Sequence, residues 1–258
     1  MGVQVNVDKV ITDYTNKVGS VKFKDSLKQI LELSADDENL KKVEHLAYLL
    51  ATAKAESGYS LQRWESDWQC GSIGVPYKDK PCQKAVNYYC STQGGKKNYC
   101  DLGMDSRGLP YFGRGLIQLT GKANYEKYGK LIGKDLVKNP ELALDEKNSY
   151  RIATTYMITP KGSSGNNTFD WVDKGDFTQA RKSVNGGTRG LDEINKEYKI
   201  WLDILKNNAE VSSPQSKNVK RMVTIGVALA TVGITGIILY VVLKRTGKLP
   251  NFLKKVNL

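Results

Sequence analysis

Histidine is almost missing from this chain: His45 is the one example in 258 residues. With no second histidine and no suitably spaced carboxylate beside it, His45 reads as a structural or exposed side chain, and no metal centre is expected. Cysteine is scarce and confined. The four residues Cys70, Cys82, Cys90 and Cys100 fall in one insert, and the lack of a Cys-x-x-Cys knuckle argues against zinc. Zinc fingers, basic zippers and other nucleic-acid motifs are absent too, so the formal charge of +12 is not read as nucleic-acid binding. It attracts polyanions in general, and an anionic cell wall or membrane surface is the better partner, although excess lysine also serves solubility. Internal repeats and low-complexity segments are lacking. The opening Met1-Gly-Val-Gln-Val-Asn6 has no basic segment followed by an apolar core, so no cleaved secretory signal is expected. Asn6 stands where a myristoylation pattern requires Ser or Thr.

What is present begins with two acids. Glu56 closes the run Ala51-Thr-Ala-Lys-Ala-Glu56-Ser-Gly58, and Glu65 follows nine residues later in Arg63-Trp-Glu-Ser-Asp67-Trp68. Apolar Leu40, Val43, Leu46, Ala47, Leu50 and Ala53 recur at intervals of three and four, the pattern of one buried helical face. Ser34 with Asp37 supplies a start signal for that helix and Gly58 a stop. Glu56 therefore lies in the last turn, where unpaired carbonyls disfavour a carboxylate, whereas Arg63 near Glu65 favours one. Two carboxyls held in opposite protonation states are the equipment for cleaving a glycosidic bond.

Two further blocks narrow the reading: Tyr111-Phe-Gly-Arg-Gly-Leu-Ile-Gln-Leu-Thr-Gly-Lys-Ala-Asn-Tyr125 and Ser183-Val-Asn-Gly-Gly-Thr-Arg-Gly-Leu191. Gly113 and Gly115 bracket Arg114, allowing a tight turn and a close approach to substrate. Gln118 and Thr120 alternate with Ile117 and Leu119 as in a short strand, and Thr120 is placed to cap a helix that follows Gly121.

With the Glu56 and Glu65 segment, these blocks resemble glycoside hydrolase family 19, the chitinases and their phage endolysin relatives, over roughly residues 36–205. The resemblance implies that Glu56 is the catalytic acid and Glu65 the general base, with inversion at the anomeric carbon. It implies that Gln118, Thr120 and Asn124 orient water and sugar, that Asn185 lines the same cleft, and that Tyr111 and Arg114 flank the glycine turn. Asp67 joins the candidate substrate-positioning set. Two departures stand out: Ala55 replaces the histidine usual before the acid, and Asp192-Glu193-Ile194 replaces a segment that often carries an arginine.

The expected fold is mainly α, of the α+β lysozyme-like superfamily: a two-lobed helical domain, 1–208, with a cleft and a small β or loop element. The insert 70–107, rich in Gly and Pro, is expected to hold two disulfides among its four cysteines, in an oxidising compartment, with all three connectivities open. Tyr88, Tyr89 and Tyr99 stand in it as sugar-stacking or local-core aromatics. Helices are also expected over 23–33, with Leu27, Ile30 and Leu31 inward, and over 148–158, 177–183 and 191–205. Asn166-Asn-Thr168 fits a glycosylation acceptor.

Beyond a tether at 209–221, residues 222–243 contain no charged side chain. At about 1.5 Å per residue a helix of that length crosses the roughly 30 Å core of a bilayer. Gly226 and Ala230 offer a small-residue surface for helix association. The tail 244–258 alternates Lys244, Arg245, Lys248, Lys254 and Lys255 with apolar residues and suits an anionic lipid surface. Because Lys217, Lys220 and Arg221 stand on the other side, charge does not fix the orientation.

The expected protein is thus a membrane-anchored hydrolase of peptidoglycan or a related amino-sugar polymer, needing no cofactor and set in a phage virion membrane or bacterial envelope. A chitinase is the alternative within the class. A non-catalytic wall-binding or virion structural module is the alternative outside it.

Overall fold

The computed structural model of the chain describes residues 2–65, 86–87, 90 and 99–209. The chain divides into Met1–Glu210 and Val211–Leu258. Among the described residues no helix is long and apolar enough to cross a membrane. The expected span at 222–243, its tail, positions 210–221 of the tether, Asp67, Cys70 and Cys82 lie outside the described residues.

The described residues are mainly helical. Helix α1 (Val7–Val18) starts where the Asn6 side chain accepts from the Lys9 N–H at 3.1 Å, and it buries Val10, Ile11 and Tyr14. Helix α2 (Lys24–Asp36) buries Leu27, Ile30 and Leu31, as their spacing predicts. It also buries Ser34, whose hydroxyl donates to the Leu31 carbonyl at 2.7 Å. Ser34 therefore ends α2 instead of starting the next helix, a correction to the expected boundary.

Helix α3 (Val43–Ser57) begins after Lys42 and stops at Gly58 in a left-handed conformation, φ 64°. Leu46 through Ala53 are buried without interruption, so α3 is wrapped on all sides, the condition in which a helix carries apolar residues around its whole circumference. After it come α4 (Lys122–Ile132), α5 (Glu146–Ile158), α6 (Thr168–Asp173), α7 (Phe177–Asn185) and α8 (Leu191–Asn208). Helix α8 makes the most extensive packing against α3. Helices α1 and α6 escape the sequence patterns above. Asn167, inside the suspected glycosylation acceptor, is the N-cap of α6 in a reciprocal capping box with Asp170.

β structure among the described residues is limited to isolated bridges, including Trp64 with Arg114 and Arg114 with Leu119. The run Gly115 to Gln118 is a turn, not the strand expected from alternation. The facing survives nonetheless, because Ile117 and Leu119 are buried while Gln118 and Thr120 are partly exposed.

The buried apolar residues form two clusters. The large one joins the helices; the small one gathers Trp64, Leu109, Phe112 and Leu144, with Val86 and Tyr99 against it. Inside the first, Trp201 stacks on Tyr14 at 3.9 Å and donates its indole N–H to the Tyr59 hydroxyl at 3.0 Å. Glu197, buried on α8, accepts from Tyr14, from Tyr59 at 3.1 Å and from Lys54 at 2.6 Å. Burial pushes the hydroxyls of Tyr14 and Tyr59 above the usual phenol range, so both remain donors. This network holds Tyr59 at φ 75°, three residues beyond Glu56. His45 is structural: it stacks on Phe169 at 4.3 Å and pairs with Asp173 at 2.9 Å.

Candidate active site

An open cleft of about 630 Å³ is lined by Glu56, Arg63, Glu65, Tyr99, Gln118, Thr120, Asn124, Tyr156 and Asn185, among others. Six residues singled out by the family resemblance therefore meet in one place: Glu56, Glu65, Gln118, Thr120, Asn124 and Asn185. They come from the end of α3, the loop after it, the glycine turn, α4 and the end of α7.

Tyr111 and Arg114 do not line the cleft. Tyr111 is buried, donates to the Val137 carbonyl at 2.9 Å and packs on Tyr125. Burial raises its phenol above the ordinary range. Arg114 is 1% exposed, donates to the Tyr125 hydroxyl at 2.9 Å and sits 3.5 Å from Glu141. Such contacts make it a strut beneath the turn, because a buried guanidinium must find acceptors for its donors.

The glycines of that turn are also needed for contacts within the protein. A side chain at Gly115 would meet the Ala143 carbonyl and the Ser149 hydroxyl at 2.7 Å, and its φ is 75°. One at Gly113 would lie 3.0 Å from Gln118 Oε1 and 3.2 Å from Glu65 Oε2. The closeness has a purpose: the Gly113 N–H donates to Glu65 Oε2 at 3.0 Å, and the Glu65 N–H donates to the Gly113 carbonyl at 2.8 Å. The Tyr99 hydroxyl also donates to Glu65, at Oε1, at 3.0 Å. Tyr99 adjoins Cys100, which forms a disulfide with Cys90 across a Cα separation of 5.1 Å.

Gln118 takes a left-handed conformation, φ 53°, which its side chain secures by donating to the Gly115 carbonyl at 2.9 Å and the Arg63 carbonyl at 3.1 Å. Thr120 does not cap α4, whose N-cap is Gly121 with no side-chain bond. Its hydroxyl donates to the Gln118 carbonyl at 2.8 Å, which leaves the oxygen's lone pairs as acceptors. Asn124 is braced the same way, donating to the Thr120 carbonyl at 2.8 Å.

Glu56 lines the same cleft, and its partner is a residue that sequence reading missed. Arg181 Nη1 donates to Glu56 Oε1 at 2.7 Å while Arg181 Nε donates to the Arg189 carbonyl at 2.9 Å. The charges facing Glu56 thus include a buried cation as well as the helix end. Arg181 lies one turn before Asn185 on α7, a spacing that puts both on one side of the helix, and that relation was the available signal. Tyr156 was missed as well; burial, then the nearby charge of Glu56, raises its phenol above the usual range.

A model of the family described as chitinase class I, glycoside hydrolase family 19, matches residues 33–189. The chain belongs to this family. An acidic endochitinase of Petunia hybrida is 46% identical over 67 residues, covering 25% of this chain and 26% of that protein. A basic endochitinase of Vitis vinifera is 33% identical over 129 residues, covering 48% of this chain and 36% of the relative. The chain thus spans only about a quarter to a third of the length of these relatives. Chitinase C from Streptomyces griseus HUT6037 superposes over 82% of this chain and 98% of its own, with a TM-score of 0.50 and 18% identity. That likeness is one of fold alone.

Proposed function

We propose that this family 19 chain is a glycoside hydrolase that cleaves β-1,4 bonds between amino sugars with inversion, using Glu56 as acid and Glu65 as base. The single observation carrying the reading is that both carboxyls line one cleft floored by Gln118, Thr120 and Asn124. Arg181 occupies Glu56 Oε1, so the proton passed to the leaving oxygen is carried on Oε2. The same guanidinium then stabilises the carboxylate that proton transfer creates. Glu65, oriented by Tyr99 and the Gly113 N–H, takes a proton from water on the far face of the sugar, and Thr120 accepts that water's other hydrogen.

A chitin-type polymer of N-acetylglucosamine is the substrate best supported, since the relatives named above are chitinases. Peptidoglycan is the second reading. It is favoured by the net charge of +12 and by the uncharged run 222–243 followed by a basic tail, which suit an enzyme tethered by a single-pass anchor beside an anionic envelope, as in a phage or bacterial setting.

The test is hydrolysis of chitin oligomers and of purified peptidoglycan by the full chain beside Glu56→Gln and Glu65→Gln. Each variant is expected to lose about 10²- to 10⁴-fold in turnover, and proton NMR of the first product should show the inverted anomer. Wild-type rates in both variants would remove Glu56 and Glu65 from the chemistry, whereas no hydrolysis of either polymer by the wild type would leave a sugar-binding module instead of an enzyme.

A further inference from the structure

The wall of the cleft formed by Tyr156, Val184, Asn185 and Gly186 is tied together from behind by a lysine that does not line it. Lys161 follows α5, and its Nζ lies 3.6 Å from the centroid of the Tyr156 ring, well inside the roughly 6 Å at which a cation is attracted to an aromatic face. The same ammonium donates to the Thr168 hydroxyl at 3.3 Å, and Thr168 shares a hydrogen bond of 2.8 Å with Ser183. Ser183 immediately precedes Val184, whose carbonyl accepts from the Tyr156 hydroxyl at 3.0 Å. A closed ring of contacts results, from Tyr156 through Lys161, Thr168 and Ser183 to Val184 and back to Tyr156. One arc of it faces the cleft.

We propose that Lys161 is a positioning residue for substrate binding, its charged ammonium holding the Tyr156 ring and the Val184–Asn185 segment in the shape that receives the sugar chain. The proposal rests on the cleft being the substrate site. Burial, with the nearby Lys127 charge adding to it, pushes Lys161 down to about 7. The groups facing it are Lys127 from α4, Tyr156 from α5 and the hydroxyl of Thr168 from α6; Ser183 of α7 reaches it through Thr168. A rise in pH through neutrality therefore removes the charge, and with it the attraction to the ring, while the fold is retained.

KM for a chitin oligomer is measured from pH 5.5 to 8.5 on the full chain and on Lys161→Met and Lys161→Arg. For the wild type, KM is expected to rise about fivefold with a midpoint near 7 while kcat changes less than twofold. Lys161→Met should show the high KM at every pH, and Lys161→Arg, charged throughout, should keep a low KM to pH 8.5. A Lys161→Met profile that superimposes on the wild type overturns the proposal.

A second measurement does not depend on turnover or on the variants folding. In wild-type protein labelled with ¹³C at lysine and tyrosine, the Tyr156 ring signals should shift with the Lys161 midpoint. Tyr156 signals that stay still while Lys161 titrates overturn the proposal as well. Failure of the wild type to hydrolyse any amino-sugar polymer would instead remove the functional reading, and this NMR result would still decide whether the Lys161 charge holds the Tyr156 ring.

Discussion

Arg181 and Glu56, 125 residues apart in sequence, are joined by a charged hydrogen bond of 2.7 Å between two largely buried side chains. One partner ends helix α3, and the other projects from α7. The bond occupies one of the two Glu56 carboxyl oxygens.

Replacing Arg181 by methionine keeps much of the side-chain volume and removes the cation. The carboxylate formed when Glu56 gives up its proton then lacks its partner, a loss of order 2–4 kcal/mol. The expected result is a fall in kcat of about 10²-fold with a much smaller change in KM, read from steady-state hydrolysis of a chitin oligomer. An unchanged kcat would mean that Arg181 only packs the cleft wall.

The Cys90–Cys100 disulfide fixes the residue after Tyr99, and Tyr99 donates to Glu65 at 3.0 Å. Cys90→Ser with Cys100→Ser should therefore lower kcat by about tenfold, matching Tyr99→Phe, if the disulfide acts on chemistry through that phenol. The comparison is kinetic: combining Tyr99→Phe with the cysteine replacements should add little further loss, since both remove one interaction.

Glu197→Ala leaves the Tyr14 and Tyr59 hydroxyls without their shared acceptor and Lys54 without its counter-ion. Breaking a buried charged network from one side costs about 3–5 kcal/mol. Urea unfolding should show that loss of stability. Glu197→Gln, which retains an acceptor oxygen, should lose less.

Lys161 also predicts how stability follows pH. Its folded value of about 7 lies below that of an unfolded lysine, so between the two the unfolded chain binds a proton that the folded chain does not. Stability from this group is full above the unfolded value and is lost as pH falls through about 7. Lys161→Met should remove this contribution, so that its gain in Tm over the wild type is larger at pH 6 than at pH 9. An equal Tm difference at both would contradict the sign.

The sequence made much of the cleft legible because its cues are local. Gly58 ends α3 where expected, which places Glu56 in a last turn, and the glycine turn carries Gln118 and Thr120 on the exposed side. The start of α3 was misjudged because Ser34 has the residue type of a helix cap, whereas its burial assigns it to the end of α2. For Tyr111 and Arg114 the motif places them beside the glycine turn, and only packing shows that both side chains are buried there.

Residue order alone determined the family 19 pattern, the helical periodicity and the acidic pair, since each is written in short-range spacing of side-chain types. Tertiary structure alone decided which groups touch those acids. Arg181, Tyr99 and the Gly113 N–H reach them from distant segments, and Lys161 acts from behind the cleft wall. Contacts of that kind depend on how α3, α7 and the loops pack, and packing joins positions that no local period relates.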